Sequence, residues 1–125
     1  RKCAFYAMLC GAPSILFAEV IDLNCTRNSV SLNAFGNDQE VADSWHPPEF
    51  TLQINGRDAS IDDFPGDARI EGDRYKLDFY VPMDGGSTVT VKVIYFTGSG
   101  AYSAQLVGGG NMIVDPGARG HCSRR

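Results

Sequence analysis

The residues that could support catalysis are few, and their spacing fits no common catalytic or metal site. The only histidines are His46 and His121, and no nucleophile motif accompanies either. The glycine-rich run at residues 98–100 contains a serine but lacks the spacing of a nucleophile elbow. No pair of histidines and cysteines shows the spacing of zinc ligands. We therefore expect a non-catalytic protein that needs no metal and no cofactor.

Among the side chains that could bind a metal or act as catalytic acids, the carboxylates form the densest group. Calcium prefers six to eight oxygen ligands, but the spacing here matches no calcium loop, and aspartate is common in turns. Two acids held about 5–10 Å apart across a cleft could hydrolyse glycosides, so an acid-pair hydrolase is the least favoured alternative. Calcium binding by these turns stays open. The group consists of Asp58, Asp62, Asp63, Asp67, Glu71 and Asp73.

Three residues are candidates for binding a partner because aromatic side chains on loops often anchor interfaces. Trp45 lies in a long irregular stretch, and Ser99 and Tyr102 lie in or just after a glycine-rich loop. The favoured interpretation of the two aromatic rings is that they cover the open ends of a small core.

The beginning of the chain has the pattern of a cleaved export signal. Arg1 and Lys2 precede a short apolar stretch that ends at Ala18, after which the sequence becomes polar. The stretch is shorter than the roughly 20 apolar residues that span a bilayer. We expect a signal peptide at residues 1–18 and a single β-domain at residues 19–125, located in the periplasm or secreted, monomeric, and not inserted in the membrane.

Removal of the signal would change both the charge and the cysteine content. The formal charge is −4, and residues 1–18 contain two cations and no acid, so the remainder carries −6. Such a domain repels nucleic acid and anionic membranes. Only Cys25 and Cys122 would remain, and in an oxidising compartment we expect them to form a disulfide.

Apolar and polar residues alternate through most of the chain, which indicates strands. We expect strands near residues 20–25, 29–35, 50–54, 57–61, 68–71, 74–81, 88–96, 101–107 and 112–114, with a turn at residues 63–66 and no helix. About eight short strands predict an all-β domain, either a small antiparallel barrel or a β-sandwich. The barrel is favoured because closure removes exposed edges.

The ends of this domain resemble those of a group of small exported proteins of Gram-negative bacteria. The opening Ile21-Asp22-Leu23-Asn24-Cys25 matches their I-x-L-x-C strand, and Gly120-His121-Cys122 matches their closing G-x-C. Thr97-Gly98 matches a Thr-Gly step in a late strand. The resemblance implies a β-domain closed by a disulfide, and it implies no particular activity.

A second run, Thr97 to Tyr102, is similar to the S-G-x-G-x-[RK]-Y loop of the C-type lysozyme inhibitors, which are also small exported barrels with a disulfide. On that resemblance Ser99 and Tyr102 would contact the enzyme. The spacing before Tyr102 is one residue shorter than in those inhibitors, and the basic residue before the tyrosine is absent. The resemblance requires both side chains to be exposed on one loop.

We therefore favour an exported domain that binds an unidentified protein or small ligand through its loops. A lysozyme inhibitor of the periplasm is the sharpest form of this hypothesis. The alternatives are a structural or envelope-associated domain and, last, the acid-pair hydrolase described above.

Overall fold

Eight antiparallel strands close into one barrel, in which the last strand pairs with the first. The structure is a computed structural model that describes residues 20–108 and 113–125, without the side chains of residues 34 and 113–116. This architecture confirms the all-β prediction and selects the barrel over the sandwich. The strands are β1 Val20–Val30, β2 Glu49–Asn55, β3 Asp58–Ile61, β4 Phe64–Glu71, β5 Arg74–Pro82, β6 Thr88–Phe96, β7 Ala101–Val107 and β8 Ile113–Arg124.

The interior of the barrel is packed with apolar side chains, one from every second position of the strands. In β5, for example, Leu77 and Phe79 are both 1 % exposed, whereas the intervening Asp78 is half-buried on the other face. An eight-stranded barrel is just wide enough for its own side chains to fill it. The aromatic members of this core are Phe50, Phe79, Tyr95 and Tyr102, and its aliphatic members include Leu23, Leu52, Ile54 and Leu77.

The closing seam between β1 and β8 carries the predicted disulfide. Cys25 lies opposite Cys122 in the antiparallel register, and their sulfur atoms are bonded. Both cysteines point into the core, with 2 % and 3 % exposure. Since the two residues are 97 positions apart, the bond ties together nearly the whole described chain.

Two irregularities interrupt the pairing next to this seam. The register between β1 and β8 shifts between Arg27 and Ser29, and the register between β7 and β8 shifts between Ala104 and Leu106. An extra residue in one strand of a pair bends that strand and increases its local twist. The strands therefore bend where β7, β8 and β1 lie side by side.

The segment between β1 and β2 corrects two predictions. The stretch at residues 29–35 is not a separate strand, because β1 continues to Val30 and a 3₁₀ turn follows at Asn33–Phe35. A short helix, α1, spans Gln39–Trp45, where no helix was expected. The Asp38 side chain accepts hydrogen bonds from the amides of Glu40 and Val41, which satisfies donors that the first helical turn leaves unpaired.

The predicted turn at residues 63–66 is also wrong. The chain reverses one step earlier, at Asp62 and Asp63, whose φ angles of 45° and 73° are left-handed. Phe64 already opens β4, and Gly66 pairs with Ala59 inside the sheet. Two left-handed residues are typical of the tight hairpin turn, but aspartate is rarer there than Asn-Gly, so the sequence signal was weak.

The predicted signal peptide at residues 1–18 lies outside the described residues. Within the described part of the chain, no helix has the length and apolar character needed to cross a membrane.

Loss of the disulfide should strongly destabilise the barrel. Closing a loop of about 100 residues contributes roughly 4–5 kcal/mol in the chain-entropy model, and the double variant Cys25→Ala/Cys122→Ala also removes buried sulfur atoms. We expect the free energy of unfolding in urea to fall by at least about 4 kcal/mol. A reduced protein with wild-type stability would show that strand pairing alone closes the seam.

Gly120 should not tolerate a side chain. A Cβ there would overlap the carbonyl oxygen of Thr26 and come within 2.5 Å of the Tyr102 ring, whereas a Cβ at Gly98 would meet nothing within 4 Å. We expect Gly120→Ala to lower the free energy of unfolding by about 1–3 kcal/mol, because overpacking forces neighbours apart. Gly98→Ala is the matched control and should change stability little; equal effects would contradict the packing argument.

Candidate functional site

The three predicted binding residues do not form one site. Trp45 ends α1, in the connection at one end of the barrel, and packs half-buried against the core. Ser99 is exposed in the connection between β6 and β7, which lies at the opposite end because successive strands are antiparallel. The Ser99 hydroxyl accepts a hydrogen bond of 3.2 Å from the Ala101 amide, so it shapes its own turn.

Tyr102 is buried, which corrects its assignment as a contact residue. It is 3 % exposed, and its ring packs edge-on against Phe50 with 5.3 Å between centroids. The signal was present in the sequence, because Tyr102 shares its phase with Ala104 and Leu106, the apolar positions of β7. The exposed Ser99 and Tyr102 pair that a lysozyme-binding loop needs is therefore missing.

Arg27 is a structurally important residue that the sequence did not single out. Its side chain is 13 % exposed, and Nη1 donates to Asp43 Oδ1 at 2.8 Å and to the His46 carbonyl oxygen at 2.6 Å. Arg27 thus connects β1 to α1 and to the residue that directly follows α1. The hydrogen bond from Arg27, aided by one from Gln39, lowers the pKa of Asp43. The positive charge of Arg27 is therefore paired within the fold.

The carboxylates between residues 58 and 73 lie on the outer surface, and two of them, Asp58 and Asp67, lie opposite each other on neighbouring strands. All six side chains are exposed, and within the described ranges no three potential ligands could hold a metal ion. Asp62 accepts hydrogen bonds from the amide and hydroxyl of Thr51, at 2.8 and 3.0 Å, which anchors the turn between β3 and β4. The two grooves described below bring together no two of these acids.

One concavity is a groove of about 560 Å³ that crosses the strands β5, β6, β7 and β8, with Arg69 of β4 at one side and the end of β1 at the other. Leu77, Val93 and Ala118 line it although their side chains are buried, so their backbone forms its floor. The residues before and after each of them point to the other face of the sheet and form the walls. The groove therefore lies on the outer surface of the barrel, not in its interior.

Small residues contribute to the lining of this groove and to the close packing of its strands. Ser29, Ser31 and Ser103 line it, and Gly117 lets β8 approach β7 closely, because a Cβ there would overlap the backbone carbonyl of Ala104. The two register shifts lie at the same place, where β7, β8 and β1 bend. Bulges occur frequently beside binding and active sites because they redirect side chains.

The groove is basic, whereas the chain as a whole is acidic. Four cations line it: Arg69, Lys76, Lys92 and Arg119. Among the described residues of the lining, the one carboxylate is Asp78, which accepts a hydrogen bond of 3.0 Å from Lys92 Nζ.

The cations of the groove differ in how far they are neutralised. Lys76 Nζ lies 3.0 Å from Glu71 Oε1, and Arg69 Nε lies 3.9 Å from Glu71 Oε2. The hydrogen bond and charge of Lys76 lower the pKa of the Glu71 carboxyl. Arg119 is exposed, and in the described part of the chain it has no carboxylate oxygen within 4.0 Å.

A second groove, of about 510 Å³, lies on the outer face of β1 and β2. Its charged lining residues are Glu49 and Asp62, and Asp62 already bonds Thr51. Its acidity matches the rest of the surface, so it lacks the contrast in charge that distinguishes the basic groove.

Alkaline pH should destabilise the protein through Tyr102. Burial raises its pKa from 10.0 to about 12, because a phenolate is poorly solvated in the core. As the pH rises, the unfolded chain releases this proton before the folded protein does. The contribution of Tyr102 to the free energy of unfolding is therefore fully present below about pH 10, and the free energy of unfolding falls by up to ~1.4 kcal/mol per pH unit as the pH rises toward 12.

Urea unfolding measured across this alkaline range tests the effect. Tyr102→Phe should remove most of the slope, whereas Tyr80→Phe, at a residue that is 49 % exposed, should retain it. Identical slopes in the two variants would contradict the assignment to Tyr102.

Comparison of the chain with models of protein families, with curated proteins and with solved structures finds no significant match.

Proposed function

We propose that this chain is an exported, non-catalytic binding domain that holds a small ligand in the basic groove on its outer face. The observation that carries this proposal is the groove itself, whose volume of about 560 Å³ falls in the range of small-molecule sites. The described lining includes hydroxyl and amide groups, the aliphatic side chain of Ile94 and four cations, a combination suited to orienting a ligand.

The groove is a better candidate than the loops because its residues are held by the barrel. Side chains on paired strands keep their positions more closely than side chains on loops do. The loop aromatics are engaged elsewhere, since Trp45 and Tyr102 both pack against the core.

Two observations support the proposal that the protein is exported: the disulfide and the sequence pattern of residues 1–18. Disulfides persist in oxidising compartments such as the periplasm and the extracellular medium. The bond between Cys25 and Cys122 fits either location.

A fragment screen observed by protein NMR tests the proposed function. With the disulfide intact, bound fragments should shift the amide signals of Ile94, Ser103 and Gln105, which line the groove. Ser103→Trp places a large ring in the groove and should abolish these shifts. Ser123→Trp is the matched control, since Ser123 is exposed on β8 and outside the lining.

Fragments that shift the loop residues Trp45 or Ser99 and leave the groove unchanged would contradict the proposal. The same holds if Ser123→Trp reduces binding as much as Ser103→Trp does.

A further inference from the structure

We infer that the ligand of the basic groove is an elongated small molecule with an anionic group at each end and an apolar middle. This inference rests on the proposed function and adds the chemical class of the ligand. It follows from the charge of the groove, from the order of residues across the strands, and from the acidity of the remaining surface.

Cations outnumber carboxylates among the described residues that line the groove. These residues include four cations and one carboxylate, Asp78, and Glu71 lies beside the groove within 3.0 Å of Lys76. This local positive charge contrasts with the formal charge of −4 of the whole chain. A concave site concentrates the potential of its own charges, so this excess attracts anions locally.

The cross-strand register gives the order of chemical groups along the groove. Lys76 on β5 pairs with Ile94 on β6, Ile94 pairs with Ser103 on β7, and Ser103 pairs with Arg119 on β8. At the Lys76 end, Arg69 on β4 is the next partner. The row therefore runs from a cationic end through an aliphatic side chain and a hydroxyl to a second cationic end.

The distance between the two ends sets the length of the ligand. Neighbouring strands lie about 4.8 Å apart, so the backbones at Lys76 and Arg119 are separated by three spacings, or roughly 14 Å. A compact dianion such as succinate cannot meet both ends at once, whereas a longer chain can pass over Ile94 and Ser103.

Arg119 is the principal anchor in this arrangement. Unlike Lys76 and Lys92, it has no ion-pair partner among the described residues, so its guanidinium is available for a carboxylate or phosphate. Lys76 shares Glu71 with Arg69, so a ligand there competes with an existing ion pair. We therefore expect the Arg119 end to contribute more to affinity.

The remaining surface favours a small molecule over a long polyanion. The described surface beside the groove carries acidic residues, including Asp67 of β4, which lies opposite Asp78. A polymer that extends beyond the groove would meet this negative charge, whereas a ligand confined to the groove would not.

Titration with α,ω-dicarboxylates tests the inference on the intact, oxidised protein. Succinate, suberate and sebacate should bind with increasing affinity, while octanoate and the neutral diamide of suberic acid should bind about tenfold more weakly than suberate. A bisphosphonate with the same spacer as suberate tests whether the groove prefers phosphonate or carboxylate groups at the two ends of the ligand. Raising the ionic strength should weaken binding of every dianion.

Charge variants locate the binding to this groove. Arg119→Gln should weaken suberate binding by about five- to tenfold, and Lys76→Gln by less. Arg57→Gln is the matched control, because Arg57 is exposed in the turn between β2 and β3 and outside the lining. It should leave the affinity unchanged.

The inference is overturned if the diamide binds as well as suberate, if chain length has no effect, or if Arg57→Gln weakens binding as much as Arg119→Gln. Neutral fragments that shift the groove signals while no dianion binds would refute the charge assignment and leave the proposed function standing. If neither fragments nor dianions shift those signals, both proposals fail.

Discussion

Closure of the barrel at the seam between β1 and β8 is the constraint on which the other features depend. Each of these strands has two neighbours because the seam exists, so no described strand of the barrel leaves its backbone as an open edge. The Cys25–Cys122 bond fixes the register at this seam, and a shift of one residue would turn the apolar face of a whole strand outward. With the register of this seam fixed, the apolar residues of all the remaining strands can pack into a single closed core.

The inward positions of the described strands are occupied by the apolar side chains of the barrel's own core. Tyr102 illustrates the tightness of this packing, because its ring occupies the space that Gly120 leaves beside the seam. Arg27, which also lies near this seam, is held by Asp43 and by the His46 carbonyl of the connection between β1 and β2. The core side chains thus stabilise the barrel, and we place ligand binding on its outer surface.

The sequence predicted the parts of the fold that depend on local pattern. Period-two alternation indicated most strands, and the position of two cysteines near the ends of the domain indicated the disulfide. The helix at Gln39–Trp45 was missed because seven residues carry little periodicity, and its attachment depends on Arg27, which is distant in sequence. Tyr102, one of the candidate contact residues, follows instead the favoured interpretation that these aromatic rings cover the core, in phase with Ala104 and Leu106.

The basic groove could not have been predicted from the sequence, because its residues meet only through strand register. Lys76, Ile94 and Ser103 are far apart along the chain and become neighbours when β5, β6 and β7 pair. Their concavity depends further on two bulges and on a glycine that approaches the backbone of the next strand. A flat outer face with the same four cations would leave them separately solvated, and their fields would be screened. Bending the sheet places these charges around a common volume, which turns scattered surface cations into a site that can select a ligand by shape and charge.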